Sequence, residues 1–138
     1  MLRQIYLIRV FALLVALAGF SCLAQAQSTK DILSNPQVDD VYVAQLDQFS
    51  QVTFGKQGDK AYGLLRVIEV NDTQIVVITT QKGWSDSRAV FVVLKQDAKT
   101  IEWDEAEKIV LLRANLLSLE ETDLILEAFR MKGQLGGQ

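Results

Sequence analysis

The apolar positions that could nucleate a core lie from Tyr62 to Thr80, YGLLRVIEVNDTQIVVITT. Two runs rich in Val, Ile and Leu flank Asn71-Asp72-Thr73, a cluster of turn formers, and this predicts a β-hairpin. In the first run Arg66 and Glu69 stand three apart, whereas strict alternation spaces outward residues by two or four. The strand must therefore bend. A bulge near Val67-Ile68 reconciles the pattern, with Leu65 and Val67 inward before it and Ile68 and Val70 inward after it. The second run, Ile75-Val76-Val77-Ile78, is apolar on both faces, so something must cover its back. Arg66 is expected to pair across the sheet with Glu69 or another acidic neighbour.

Upstream, Asp40 to Leu46 alternates as a strand, with Val41 and Val43 on one side and Tyr42, Ala44 and Leu46 on the other. Asp47 to Lys60 reads as a long loop, in which Val52 and Phe54 either anchor the loop or form a short strand. Gln81 to Arg88 is a polar loop holding Trp84. Ala89 to Lys99 suits either strand or helix. A helix is favoured, capped by Asp86 or Ser87, with Val90, Phe91, Leu94 and Ala98 on one face and only Val92 badly placed.

Thr100 to Trp103 is then a short strand, with Trp103 in the core, Asp104 to Glu107 an acidic turn, and Lys108 to Arg113 another strand. Ala114 to Asp123 suits a short helix or helical turn capped at Ser118, and Leu124 to Arg130 a final strand. The fold class expected is mainly β with helical inserts: a small, bent, partly open barrel of the SH3-like kind, or as the alternative a ferredoxin-like or other α+β sandwich. The likeness to SH3-like barrels rests on the bent hairpin and on the helical turn before the last strand, and it transfers no functional residue.

Composition adds an address. Residues 1–26 combine basic Arg3 and Arg9, the apolar run Val10 to Phe20 and the small-x-small triplet Ala24-Gln25-Ala26, the pattern of a cleaved signal peptide. The apolar run falls short of the ~20 residues of a membrane span. Cys22 admits lipoprotein anchoring as a minor alternative, although Gly19-Phe20-Ser21 before it fits that motif poorly. The expected organisation is a signal peptide over 1–26, a flexible leader over 27–39, one β-rich domain over 40–131 and a disordered tail over 132–138. The chain is expected in the periplasm or secreted, with no membrane insertion after cleavage.

Charge and residue types then narrow the chemistry. The whole sequence has 14 basic and 17 acidic residues. Two of the basic ones lie in the leader, so the remaining 112 residues carry a net charge of −5. Such a surface gains nothing from nucleic acid or from an anionic membrane, which leaves a protein partner as the expectation. There is no histidine, and the single cysteine is lost with the leader. Ser-His-Asp and Cys-His catalysis and histidine-ligated metals are thereby excluded from the mature chain, and no phosphate-binding glycine loop is present. No catalytic residue, metal ligand or cofactor is assigned.

Two clusters remain. Glu102, Asp104, Glu105 and Glu107 beside Trp103 read as a solvated turn, or else as a calcium site or glycosidase acid pair. Trp84, Asp86 and Arg88 are the candidate binding residues, because Trp and Arg dominate binding hot spots. Against that, Trp84 reads equally as a plug over its own core and Asp86 as a helix cap. The functional expectation is a non-catalytic binding protein of the bacterial envelope, of inhibitor, immunity or accessory type. The alternative is a small module for cell-wall glycan or a carboxylate-dependent envelope enzyme.

Overall fold

The structure is a computed structural model that describes residues 27–136. The signal-peptide assignment over 1–26 and the last two residues of the expected tail lie outside the described residues. The chain runs α1 (Thr29–Ser34), β1 (Asp40–Gln45), β2 (Tyr62–Val70), β3 (Gln74–Thr80), α2 (Ser87–Asp97), β4 (Trp103–Leu112), α3 (Leu116–Glu121) and β5 (Ile125–Arg130). The five strands form one antiparallel sheet in the order β4-β3-β2-β1-β5. The protein is thus mainly β. Closure into an SH3-like barrel is not borne out, because β4 and β5 end the sheet without pairing. Helices cover the two faces instead, so the sheet need not curl onto itself to bury them.

The central hairpin forms as its pattern requires. Asn71 closes the turn, its side-chain oxygen accepting from the N–H groups of Thr73 and Gln74 at 3.0 and 2.9 Å. The bulge lies where the spacing of Arg66 and Glu69 placed it, since Val67 pairs with Val77 and Glu69 with Val76. Ile68 is the extra residue. Its effect differs in one respect from expectation: Val70 rejoins the face of Leu65 and Val67, and Ile68 packs into the opposite cluster. One inserted residue restores the original face after the kink, so Ile68 and Val70 do not share it.

β1 lies between β2 and β5, and Asp40 to Ala44 are all buried. Its two faces sort as alternation demands. Val41 and Val43 join Leu64, Ile78, Val90 and Leu94 beneath α2, whereas Tyr42, Ala44 and Leu46 join Leu65, Val67, Ile75 and Val77 on the other face. α2 begins at Asp86, whose carboxylate accepts the Arg88 N–H at 2.9 Å. Val90 and Leu94 are buried, Phe91 and Ala98 partly so, and Val92 is 51% exposed. The helical reading of this segment is therefore correct, including its one misfit. Phe91 meets Phe129 of β5 edge-on, with ring centroids 6.1 Å apart.

Three expectations give way. Residues 27–39, expected as a loose leader, hold α1, capped by Ser28, with Ile32 and Leu33 buried at 2% and 1%. The acidic run expected as a turn is the bulged part of one continuous strand: Val77 pairs with Ile109 and Thr79 with Asp104, leaving extra residues on β4. The ladder to β3 continues past the bulge and carries the chain straight through. Ser118 is not a cap but lies inside α3, its carbonyl accepting from the N–H and hydroxyl of Thr122.

Two arginines fasten the first and last described segments to the sheet. Arg66 is 3% exposed, donates to Asp39 from Nε and Nη2 at 3.1 and 3.0 Å, and donates from Nη1 to the Gly136 carbonyl at 3.1 Å. Its guanidinium carbon lies 5.4 Å from the centroid of Trp103, itself buried as expected. Its partner is thus an acidic neighbour across the sheet, Asp39, whose own N–H bonds the Val67 carbonyl of β2 at 2.8 Å, and not Glu69. Arg130 holds both oxygens of buried Asp40 at 3.0 and 3.1 Å and the Asn35 carbonyl at 2.7 Å. Residues 132–136 of the expected tail accordingly return to the sheet, where Leu135 packs against the cluster beneath α2.

Candidate functional site

The candidate binding residues occupy the connection from β3 to α2. Thr80 starts it, its hydroxyl donating to the Lys82 carbonyl at 2.8 Å. Trp84 then lies against the first residue of β2: Tyr62 and Trp84 exchange N–H to carbonyl bonds of 2.7 and 2.8 Å. These two bonds fix the loop beside the sheet. The indole is half-buried against the cluster beneath α2, and the Lys82 ammonium stands 5.6 Å from its ring centroid. At that distance a cation over an exposed indole is attracted by about 0.5–1 kcal/mol.

The long loop after β1 supplies the facing wall. Asp47 accepts the Ala61 N–H at 3.0 Å, and the Ala61 carbonyl accepts the Leu46 N–H at 2.7 Å, so the loop leaves and re-enters the sheet at one point. Glu107 holds its first turn, accepting from the Ser50 hydroxyl and from the Gln51 N–H. Phe54 anchors the middle, while Val52 stays 46% exposed. Phe54 rests on Gly83 so closely that a β-carbon there would lie 2.9 Å from its ring. Between the two loops is an open groove of about 630 Å³ with Phe54 and Trp84 among its walls and Asp59, Lys60 and Ser85 among its polar groups.

Asp86 and Arg88 are brought together just beyond this groove and do not line it. Arg88 reaches back to Asp86, Nη2 to Oδ2 at 2.8 Å and Nε to Oδ2 at 3.1 Å, while its side chain remains 89% exposed. The bonds from the Arg88 guanidinium and then from its N–H hold the Asp86 carboxyl below the usual range, and Asp86 in turn raises Arg88. Asp86 is therefore both cap and clamp. Trp84 packs against the cluster beneath α2 and also borders the groove.

The acidic cluster has no such convergence. Asp104, Glu105 and Glu107 follow one another along β4, with Glu102 just before it. Glu107 is engaged by Ser50 and Gln51, and Asp104 accepts the Ala106 N–H at 3.0 Å. Among the described residues no group of three or more His, Cys, Asp or Glu side chains is placed to hold a metal ion. Phe54 is the wall residue that sequence reasoning left undecided. Its one local signal is the apolar ring in a polar loop, and the contact with Gly83 spans too much sequence for any short pattern to show.

The fold is a five-strand antiparallel sheet with short helices on its faces, and among the described residues no helix is long and apolar enough to cross a membrane. No protein-family model matches the chain, and neither curated proteins nor solved structures gave a match.

Proposed function

We propose that this chain is an exported, non-catalytic binding protein of the bacterial cell envelope that acts through protein–protein contacts as an inhibitor, immunity-type or accessory protein. The observation that carries the reading is Arg88. Its guanidinium is almost fully exposed yet held by Asp86, four positions after Trp84, whose backbone is pinned to β2. A cation and an aromatic ring already fixed in place lose little freedom on docking, which is what favours Arg and Trp in binding hot spots. The absence of histidine and the loss of Cys22 with the signal peptide support a role without histidine-assisted or thiol chemistry. Export rests on the pattern of residues 1–26.

The second reading, a small cell-wall glycan-binding module, is favoured by the groove, because Phe54 and Trp84 offer ring faces beside Asp59 and Ser85. Its catalytic variant draws less support, since carboxylates in line on one strand do not face each other across a cleft.

One experiment separates them. Immobilised protein is exposed to envelope extract, and Arg88→Ala is expected to reduce capture of a partner at least tenfold with the melting temperature unchanged. Undiminished capture by Arg88→Ala removes the support for protein binding at this site. Sedimentation of the wild type with purified peptidoglycan, lost in Trp84→Ala, would establish the glycan reading in its place.

A further inference from the structure

Among the described residues β4 is an outer strand, paired with β3 on one side only. Natural sheets blunt such edges with charge, proline or cover, because the free N–H and C=O groups are a template for another strand. The second half of β4, Lys108-Ile109-Val110-Leu111-Leu112, has one charge and no proline. Val110 and Leu112 are 55% and 51% exposed. α2 lies over β1 and β2 and leaves this corner of the sheet open.

The register tells which backbone groups are free. Arg113 donates its N–H to the Thr73 carbonyl at 3.0 Å, and Leu111 and Ile109 follow at two-residue steps opposite Ile75 and Val77. In an antiparallel ladder these alternate residues turn their polar groups towards the partner strand, so Val110 and Leu112 turn theirs outward. The same two residues thus offer free main-chain groups and uncovered apolar side chains.

We propose that this edge is a dimer seam, in which residues 108–112 pair antiparallel with the same residues of a second copy and extend the sheet to ten strands. Charge selects that occupant. In β4 the acidic residues Asp104, Glu105 and Glu107 precede the seam, Lys108 begins it, and Arg113 follows it. Laid antiparallel about Val110, Glu107 of one copy stands across from Arg113 of the other, whereas a parallel alignment sets like against like. A two-fold axis at Val110 places this residue against its counterpart and Leu112 across from Lys108, whose methylene stem covers apolar surface while its ammonium stays in water. The seam is short, smaller than a standard interface, so the dimer is weak, with dissociation in the micromolar range.

Sedimentation of the purified protein from low to several hundred micromolar tests the seam. The wild type is expected to pass from monomer to dimer, and Val110→Lys and Leu112→Lys, both at exposed positions, to raise the dissociation constant at least tenfold with circular dichroism spectra unchanged. Register is tested by disulfide trapping in a Cys22→Ser background. Val110→Cys should cross-link readily under mild oxidation. Leu112→Cys should cross-link at least tenfold more slowly, because its counterpart would lie about 13 Å away, beyond disulfide reach. A wild type that stays monomeric throughout, a dimer indifferent to both lysines, equal trapping of the two cysteines, or pairing only with an added strand of different sequence would each overturn the proposal.

Discussion

Asp47 shows how a single carboxylate can organise a loop. Besides the Ala61 N–H, it accepts the side-chain amides of Gln45 and Gln48 at 3.0 and 3.1 Å. Partial burial works to raise its pKa, but these donors outweigh it and hold the carboxyl below its usual value. A carboxyl lowered in this way stabilises the fold above its unfolded pKa, about 4, and loses that contribution as pH falls through the lower folded value. Acidification from about pH 5 to 3 should therefore lower the melting temperature of the wild type more than that of Asp47→Asn. Equal slopes in a thermal melt series would count against this role. Arg66 shows the opposite side of residue-level reading. Its charge suggests solvent, but Asp39, the Gly136 carbonyl and the Trp103 ring enclose it, and these partners lie 27, 70 and 37 positions away. No local pattern carries that information.

At the scale of elements, α2 is the lid over β1 and β2, and it also covers Ile78 of the doubly apolar β3. Val90 and Leu94 sit one helical turn apart and fill the space over Val41, Val43, Leu64 and Ile78. Leu94→Ala should cost about 2–4 kcal/mol in chemical denaturation. Val92→Ala, on the opposite and exposed side, should stay within about 0.5 kcal/mol. Similar losses for both would mean that the helix does not rest on the sheet by that face. The helix was legible because its cap and its apolar spacing are local. The acidic segment of β4 was not, because four carboxylates in six residues have the composition of a turn, while the ladder from Thr79 and Thr80 to Asp104 and Trp103 holds them extended.

At the scale of the molecule, the N-terminal segment belongs to the fold. Ile32 and Leu33 enter the cluster that contains Tyr42, Leu116, Ile125 and Ala128, and the Ala128 N–H donates to the Thr29 hydroxyl at 3.1 Å. Burying each of these two side chains is worth about 1.5–3 kcal/mol, so deletion of residues 27–35 should lower the unfolding free energy by roughly 3–6 kcal/mol. A deletion variant with an unchanged denaturation midpoint would reduce α1 to an appendage. Together with Arg130 gripping Asp40 and Arg66 gripping Asp39, the helix joins β5 and both ends of the described residues in one packed unit.

Periods of two and three to four residues act over a few neighbouring side chains, and these were enough to find the hairpin, its bulge, the two faces of β1 and the helix after Asp86. Trp84 itself stood out as an aromatic ring in a polar loop, but the groove that it borders did not. The contacts that join distant positions were not visible either: the docking of α1, the enclosure of Arg66, Phe54 against Gly83, and the open edge of β4. Each depends on which strand lies beside which. That order arises when the chain brings remote apolar faces together, and nothing in the spacing of adjacent residues encodes it.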